Sequence, residues 1–166
     1  TAKAGGKLTA TTLGVTGAAG LTSGGAMEVT DANVGSVMAN AGSTLHVKKL
    51  TSTGEATLTS KDEATLDDVT AGTLAAESTA GSVNAGTLTA TTDDASVTAK
   101  TDVTIGTLNA KEHAALSSGG AMTLDKADVG HDATLDAASD LTVGQFNVGH
   151  DLMATTQAAF DGGSVT

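Results

Sequence analysis

Four histidines stand in a chain of 166 residues, and two of them share a tetrapeptide: Val129-Gly130-His131-Asp132 recurs 19 residues later as Val148-Gly149-His150-Asp151. If the fold repeats at that interval, the two imidazoles stack in neighbouring turns of the chain, roughly 5 Å apart, each with a carboxylate beside it. Two imidazoles and two carboxylates are a ligand set for a divalent transition metal. Gly-His-Asp is also a favourable turn sequence, and no third histidine joins the column. The turn reading is preferred on that ground. His131, His150, Asp132 and Asp151 are the candidate metal ligands, and no specific metal site is expected of them. His46 and His113 are expected to be exposed and to lack a partner.

Other chemistry-bearing residues give less. Asp67-Asp68 and Asp93-Asp94 are paired carboxylates that suggest calcium, but the Gly-Gly-x-Gly-x-Asp calcium pattern is absent. Solvated turn residues are expected there. Cleavage of glycosides by paired carboxylates needs a groove with sugar-stacking aromatics, and the only aromatics, Phe146 and Phe160, fall in apolar columns. No Gly-x-Ser-x-Gly elbow occurs. The lack of Cys excludes a disulfide framework and a thiolate zinc site. No catalytic residue and no cofactor is assigned, and the chain is expected not to be an enzyme.

The elements that would position these residues follow from a repeat. Leu8, Met27, Leu45, Ala64, Val83, Val103, Met122, Leu141 and Phe160 form a column with spacings of 19, 18, 19, 19, 20, 19, 19 and 19. Two positions on stand Ala10, Val29, Val47, Leu66, Ala85, Ile105, Leu124, Val143 and Gly162; five positions on, Leu13, Ala32, Leu50, Val69, Leu88, Leu108, Ala127, Phe146 and Val165. Half a repeat later comes an apolar pair at i, i+2, from Ala19 and Leu21 through Ala95 and Val97 to Leu152 and Ala154. That spacing is the period of a strand with one buried face. The pair slides by one or two residues within the repeat, which predicts turns of variable length. The positions between the inward columns are polar: Thr9, Glu28, His46, Thr65, Asn84, Thr104, Thr123, Thr142 and Asp161. These interruptions of the threonines deny a regular ice-binding lattice. Gly, Asp, Asn and Ser collect at the turns, where left-handed or side-chain-bonded conformations are expected.

A 19-residue unit without a helical stripe is too short for a strand-helix repeat, and no asparagine column of a leucine-rich repeat exists. The expected fold is all-β: a right-handed parallel β-helix of about nine coils with a ~19-residue repeat, its ladders running along the rod. A single coil buries too little to offset the entropy of fixing its backbone, so stability must come from stacking. Residues 1–166 form one such segment.

Composition agrees. Pro is absent, and in stacked coils Pro would remove an amide donor. With aromatics at 1% the core must be narrow and filled by Ala, Val, Leu and Thr. The net charge of −11, from 8 Lys against 19 acids, argues against nucleic-acid binding.

The columns, the Gly119-Gly120-Ala121-Met122-Thr123-Leu124 start and the twice-used Val-Gly-His-Asp turn resemble the filamentous haemagglutinin family. The likeness covers essentially the whole chain. It implies a structural rod segment of a large secreted adhesin at the surface of a Gram-negative bacterium, holding a binding region away from the cell. The stalk of a contact-dependent growth inhibition toxin uses the same repeats and is the alternative. The resemblance also implies export by an outer-membrane two-partner secretion transporter. Contact with a host or neighbouring cell would be made by other parts of the parent protein. Neither end reads as a polar cap, so the chain is taken as a segment of a longer fibre, with end-to-end self-association expected.

Overall fold

The computed structural model describes residues 1–166. Strand β1 (Ala2–Ala4) pairs with β2 (Leu8–Ser23), which is followed by β3 (Met27–Ala41). From there each coil holds two strands. They are β4 (Leu45–Ser52) and β5 (Glu55–Ser60), β6 (Ala64–Ala71) and β7 (Thr73–Ser78), and β8 (Val83–Ala90) and β9 (Ala95–Ala99). The series continues with β10 (Val103–Ala110) and β11 (Ala114–Ser118), then β12 (Met122–Val129) and β13 (Ala133–Ala137). It ends with β14 (Leu141–Val148), β15 (Leu152–Thr156) and β16 (Phe160–Val165). All pairings are parallel and join the 16 strands into one coiled sheet, a β-solenoid of about nine turns.

The register reproduces the columns residue by residue. Val103 lies between Val83 and Met122, and Ile105 between Ala85 and Leu124. In the second ladder Ala95, Ala114, Ala133 and Leu152 lie in line. Alternation decides what is buried: Val103, Ile105 and Leu108 are 1%, 0% and 0% exposed, while Thr104 and Thr142 face solvent. The inward side chains form a single cluster of 42 buried apolar residues running along the rod. Phe146 is fully buried; Phe160, in register with Leu141, is 53% exposed because its coil is covered on one side only.

The two ladders meet at two corners in each coil. The first corner links a long strand to the short one after it, and the second links the short strand to the next coil. A column of small residues closes the second corner from inside: Ser23, Ala41, Ser60, Ser78, Ala99, Ser118, Ala137 and Thr156. Its serines are buried, yet their hydroxyls donate to corner carbonyls: Ser23 to Gly25 at 2.8 Å, Ser60 to Asp62 at 3.0 Å and Ser118 to Ala121 at 2.8 Å. A buried hydroxyl is tolerable only with such a partner.

The glycines correct one expectation. No residue, glycine included, has a positive φ, so the corners use no left-handed conformation. Glycine is needed instead because stacked backbones approach closely. A Cβ built on Gly130 would fall on the carbonyl oxygen of Lys111, and one on Gly149 on that of Gly130.

Candidate functional site

The first corners of four successive coils carry every chemistry-bearing residue singled out above except His46 and the pair Asp67-Asp68. The corner after β8 ends in Asp93 and Asp94; that after β10, in Glu112 and His113; that after β12, in His131 and Asp132; that after β14, in His150 and Asp151. The short strands that follow are in register, so these residues form two adjacent columns. One holds Asp93, Glu112, His131 and His150; the other holds Asp94, His113, Asp132 and Asp151. Backbone bonds tie the first column, with the His131 amide donating to the Glu112 carbonyl at 2.8 Å and the His150 amide to the His131 carbonyl at 3.1 Å.

Side chains tie the second column. The His113 amide donates to Asp94 Oδ1 at 3.0 Å, the Asp132 amide to His113 Nδ1 at 3.4 Å, and the Asp151 amide to Asp132 Oδ1 at 3.2 Å. The same device recurs at the second corner, where the Ala121 amide donates to Asp102 Oδ1 at 2.8 Å and the Ala159 amide to Asp140 Oδ1 at 3.1 Å. Asp94 is thus a clamp between coils rather than a merely solvated turn residue.

Two predicted histidines do stack. The His131 and His150 rings have centroids 4.7 Å apart and planes 12° from parallel. Imidazole binds a metal through a lone pair in its ring plane, and in a parallel stack those lone pairs run side by side instead of converging. No three His, Asp or Glu side chains converge on one point in these rotamers. His113, expected to lack a partner, has two. Its ring lies 5.7 Å from that of His131 at 56°, and its Nδ1 is 3.5 Å from Asp132 Oδ2. His131 Nε2 in turn lies 3.4 Å from Glu112 Oε2. His46 is also partnered, with Nε2 3.3 Å from Asp67 Oδ2. The contacts of His113 with His131 and of His46 with Asp67 run diagonally, between columns, which a reading column by column misses, whereas His113–Asp132 and His131–Glu112 lie within a column.

The site lies in the acidic part of the rod. Residues 1–61 carry 5 Lys and 3 acids, whereas residues 62–166 carry 3 Lys and 16 acids. Elsewhere the surface offers little chemistry: the depression between the first coils is lined by Thr16, Asn33, Gly35 and Thr53 among others, and holds no titratable group.

Comparison with known protein families, with curated proteins and with solved structures finds no match to this chain. The fold therefore defines the class, a parallel β-solenoid with a histidine and carboxylate array along one corner.

Proposed function

We propose that this chain is a structural rod segment of a large secreted bacterial surface adhesin, one that carries a binding region away from the cell. The reading rests on the resemblance drawn from the repeats. The observation that supports it best is the unbroken register from Leu8 to Phe160, in which each coil repeats the inward face of the one before. A part whose units are interchangeable supplies length. Secretion to the surface of a Gram-negative bacterium through an outer-membrane two-partner transporter belongs to the same proposal.

Two deletions in the full-length parent test it. Removing residues 122–140 puts Leu141 in the place of Met122, its register partner, and shortens the rod by about 4.8 Å. The shortened protein should fold and attach to cells as before. Removing residues 122–130 sets corner residues under strand residues and should unfold the neighbouring coils. If the in-phase deletion folds normally but abolishes attachment, the segment holds a binding site of its own and the spacer reading fails.

A further inference from the structure

We propose that the sheet face of the second ladder, from the end of β2 to β15, packs against the same face of a second copy of this chain, with the two rods antiparallel. The pairing rests on the register and the surface alone and not on the adhesin reading. Two outward columns make this face, one running from Gly20 to Met153 and the other from Thr22 to Thr155. They hold only two charged side chains, Glu77 and Asp136. The outward face of the long strands instead carries Glu28, Lys48, Lys49, Asp68, Asp125 and Lys126 among others. Of the exposed large apolar side chains, Phe160 and Val165 stand in inward columns of the last coil. Met38 and Met153 point outward in one column of the second-ladder face, 64% and 59% exposed.

Position along the rod selects the occupant. Met38 lies three coils before Ser96 in this column, and Met153 three coils after it. A two-fold axis crossing the rod at Ser96 therefore lays Met38 of each copy on the partner's Met153, and methionine adapts readily to such a contact. The same axis sets the lysine-rich coils of residues 1–61 beside the acidic coils of the other rod, whereas parallel rods would put acid against acid. It also keeps the second corners of both copies on one side. Lys61, two coils before Ser96, then reaches the partner's Asp136, two coils after it. Lys100, at the second corner of the central coil, lies one coil from the partner's Glu77. All four groups are exposed, and the ion pairs within the chain use none of them. Asp93 and Asp94 approach their own counterparts at the axis, but at the rim of the first corner, where water and salt screen them. Eight coils at about 4.8 Å and five residues at about 3.3 Å give a face of about 600 Å². Two such faces bury about 1,200 Å² together, the lower end of specific interfaces.

The experiment is sedimentation equilibrium of the intact 166-residue chain at low salt. A reversible dimer with a micromolar dissociation constant is expected. Met38→Glu should weaken it roughly tenfold or more with melting unchanged, since the side chain is exposed in the monomer. Thr104→Glu, on the long-strand face, should stay within about twofold of the parent. Lys61→Glu and Asp136→Lys should each weaken the dimer, because each places like charges together twice. An equimolar mixture of these two variants should associate as the parent does, since a mixed dimer restores both ion pairs. A chain that stays monomeric up to about 1 mM overturns the proposal. So does assembly that Met38→Glu leaves unchanged, which would be end-to-end stacking. A mixture that associates no better than its two components overturns the antiparallel register and the proposal with it.

Discussion

The two corners of each coil obey different rules. Between the last inward column of the long strand and the first of the short one, the first corner holds three residues in Thr16–Ala18, two in Gly35–Ser36, four in Thr91–Asp94 and three in Gly130–Asp132. The second corner holds three residues in Gly24–Ala26, Lys61–Glu63 and Gly119–Ala121, and four only in Thr79–Ser82. The difference lies inside. In the coils of Ser23, Ser60, Ser78 and Ser118 the second corner is pinned by a buried hydroxyl, with Ser78 and Ser118 also reaching back to the Asp62 and Thr101 carbonyls of the coil before, while Ala41, Ala99 and Ala137 fill the same column elsewhere. The first corner has such a plug only at Ser52. A corner free to vary in length is free to vary in sequence, and the histidine and carboxylate array is found there. Loops on a rigid scaffold are where such variation collects.

The largest effect should come from the ladder that both corners depend on. Val103→Asp puts a carboxylate into a narrow apolar core with no partner and should cost several kcal/mol or unfold the rod, while Thr104→Asp stays within about 0.5 kcal/mol. Similar melting temperatures for the two variants would overturn the inside and outside assignment. Next come one-residue insertions. A glycine between Gly119 and Gly120 breaks the bond of the Ser118 hydroxyl to the Ala121 carbonyl and should cost about 1–3 kcal/mol. A glycine between Gly130 and His131 only makes a corner as long as Thr91–Asp94 and should cost under about 1 kcal/mol. Equal losses in urea unfolding would erase the distinction between the corners. Smaller again is Asp102→Ala, which leaves the Ala121 amide to water and should cost about 1 kcal/mol, with Asp102→Asn recovering most of it.

The inward columns were legible because burial in stacked coils acts on two periods at once, two residues along the strand and one coil along the rod. Even the sliding pair from Ala19 and Leu21 to Leu152 and Ala154 keeps register, since the first corner absorbs the change. The buried serines were not legible. Ser60 and Ser118 stand next to turn residues and read as part of the turn, whereas they face inward. The contact of His113 with His131 was hidden for a different reason. It needs the side chains to lean across two columns, and a sequence column records only what lies directly above. The glycines misled because general turn chemistry was applied to a backbone whose first constraint is its neighbour one coil away.

The smallest prediction concerns the rim of the second corner. Lys7 occupies its last position in the first coil, and its Nζ lies 3.1 Å from Glu28 Oε2, one coil and two residues further on. Glu63 and Asn84 make the same step, with Asn84 Nδ2 donating to Glu63 Oε1 at 2.6 Å. The hydrogen bond from Lys7, and then its charge, hold the Glu28 carboxyl below the usual carboxylate range. A depressed acid adds stability above its unfolded pKa, and that contribution disappears as the pH falls through the folded value. Here the pair is exposed and screened, so the effect belongs in the titration of the carboxyl rather than in a melting curve. In a carbon-detected NMR titration, Lys7→Ala should move the Glu28 midpoint up towards that of an ordinary glutamate. Added salt should move the parent the same way by a smaller amount. A midpoint that ignores Lys7→Ala would mean that the rim pair does not form in solution. The second corner would then be held by its buried hydroxyls and by the exposed carboxylates of Asp102 and Asp140.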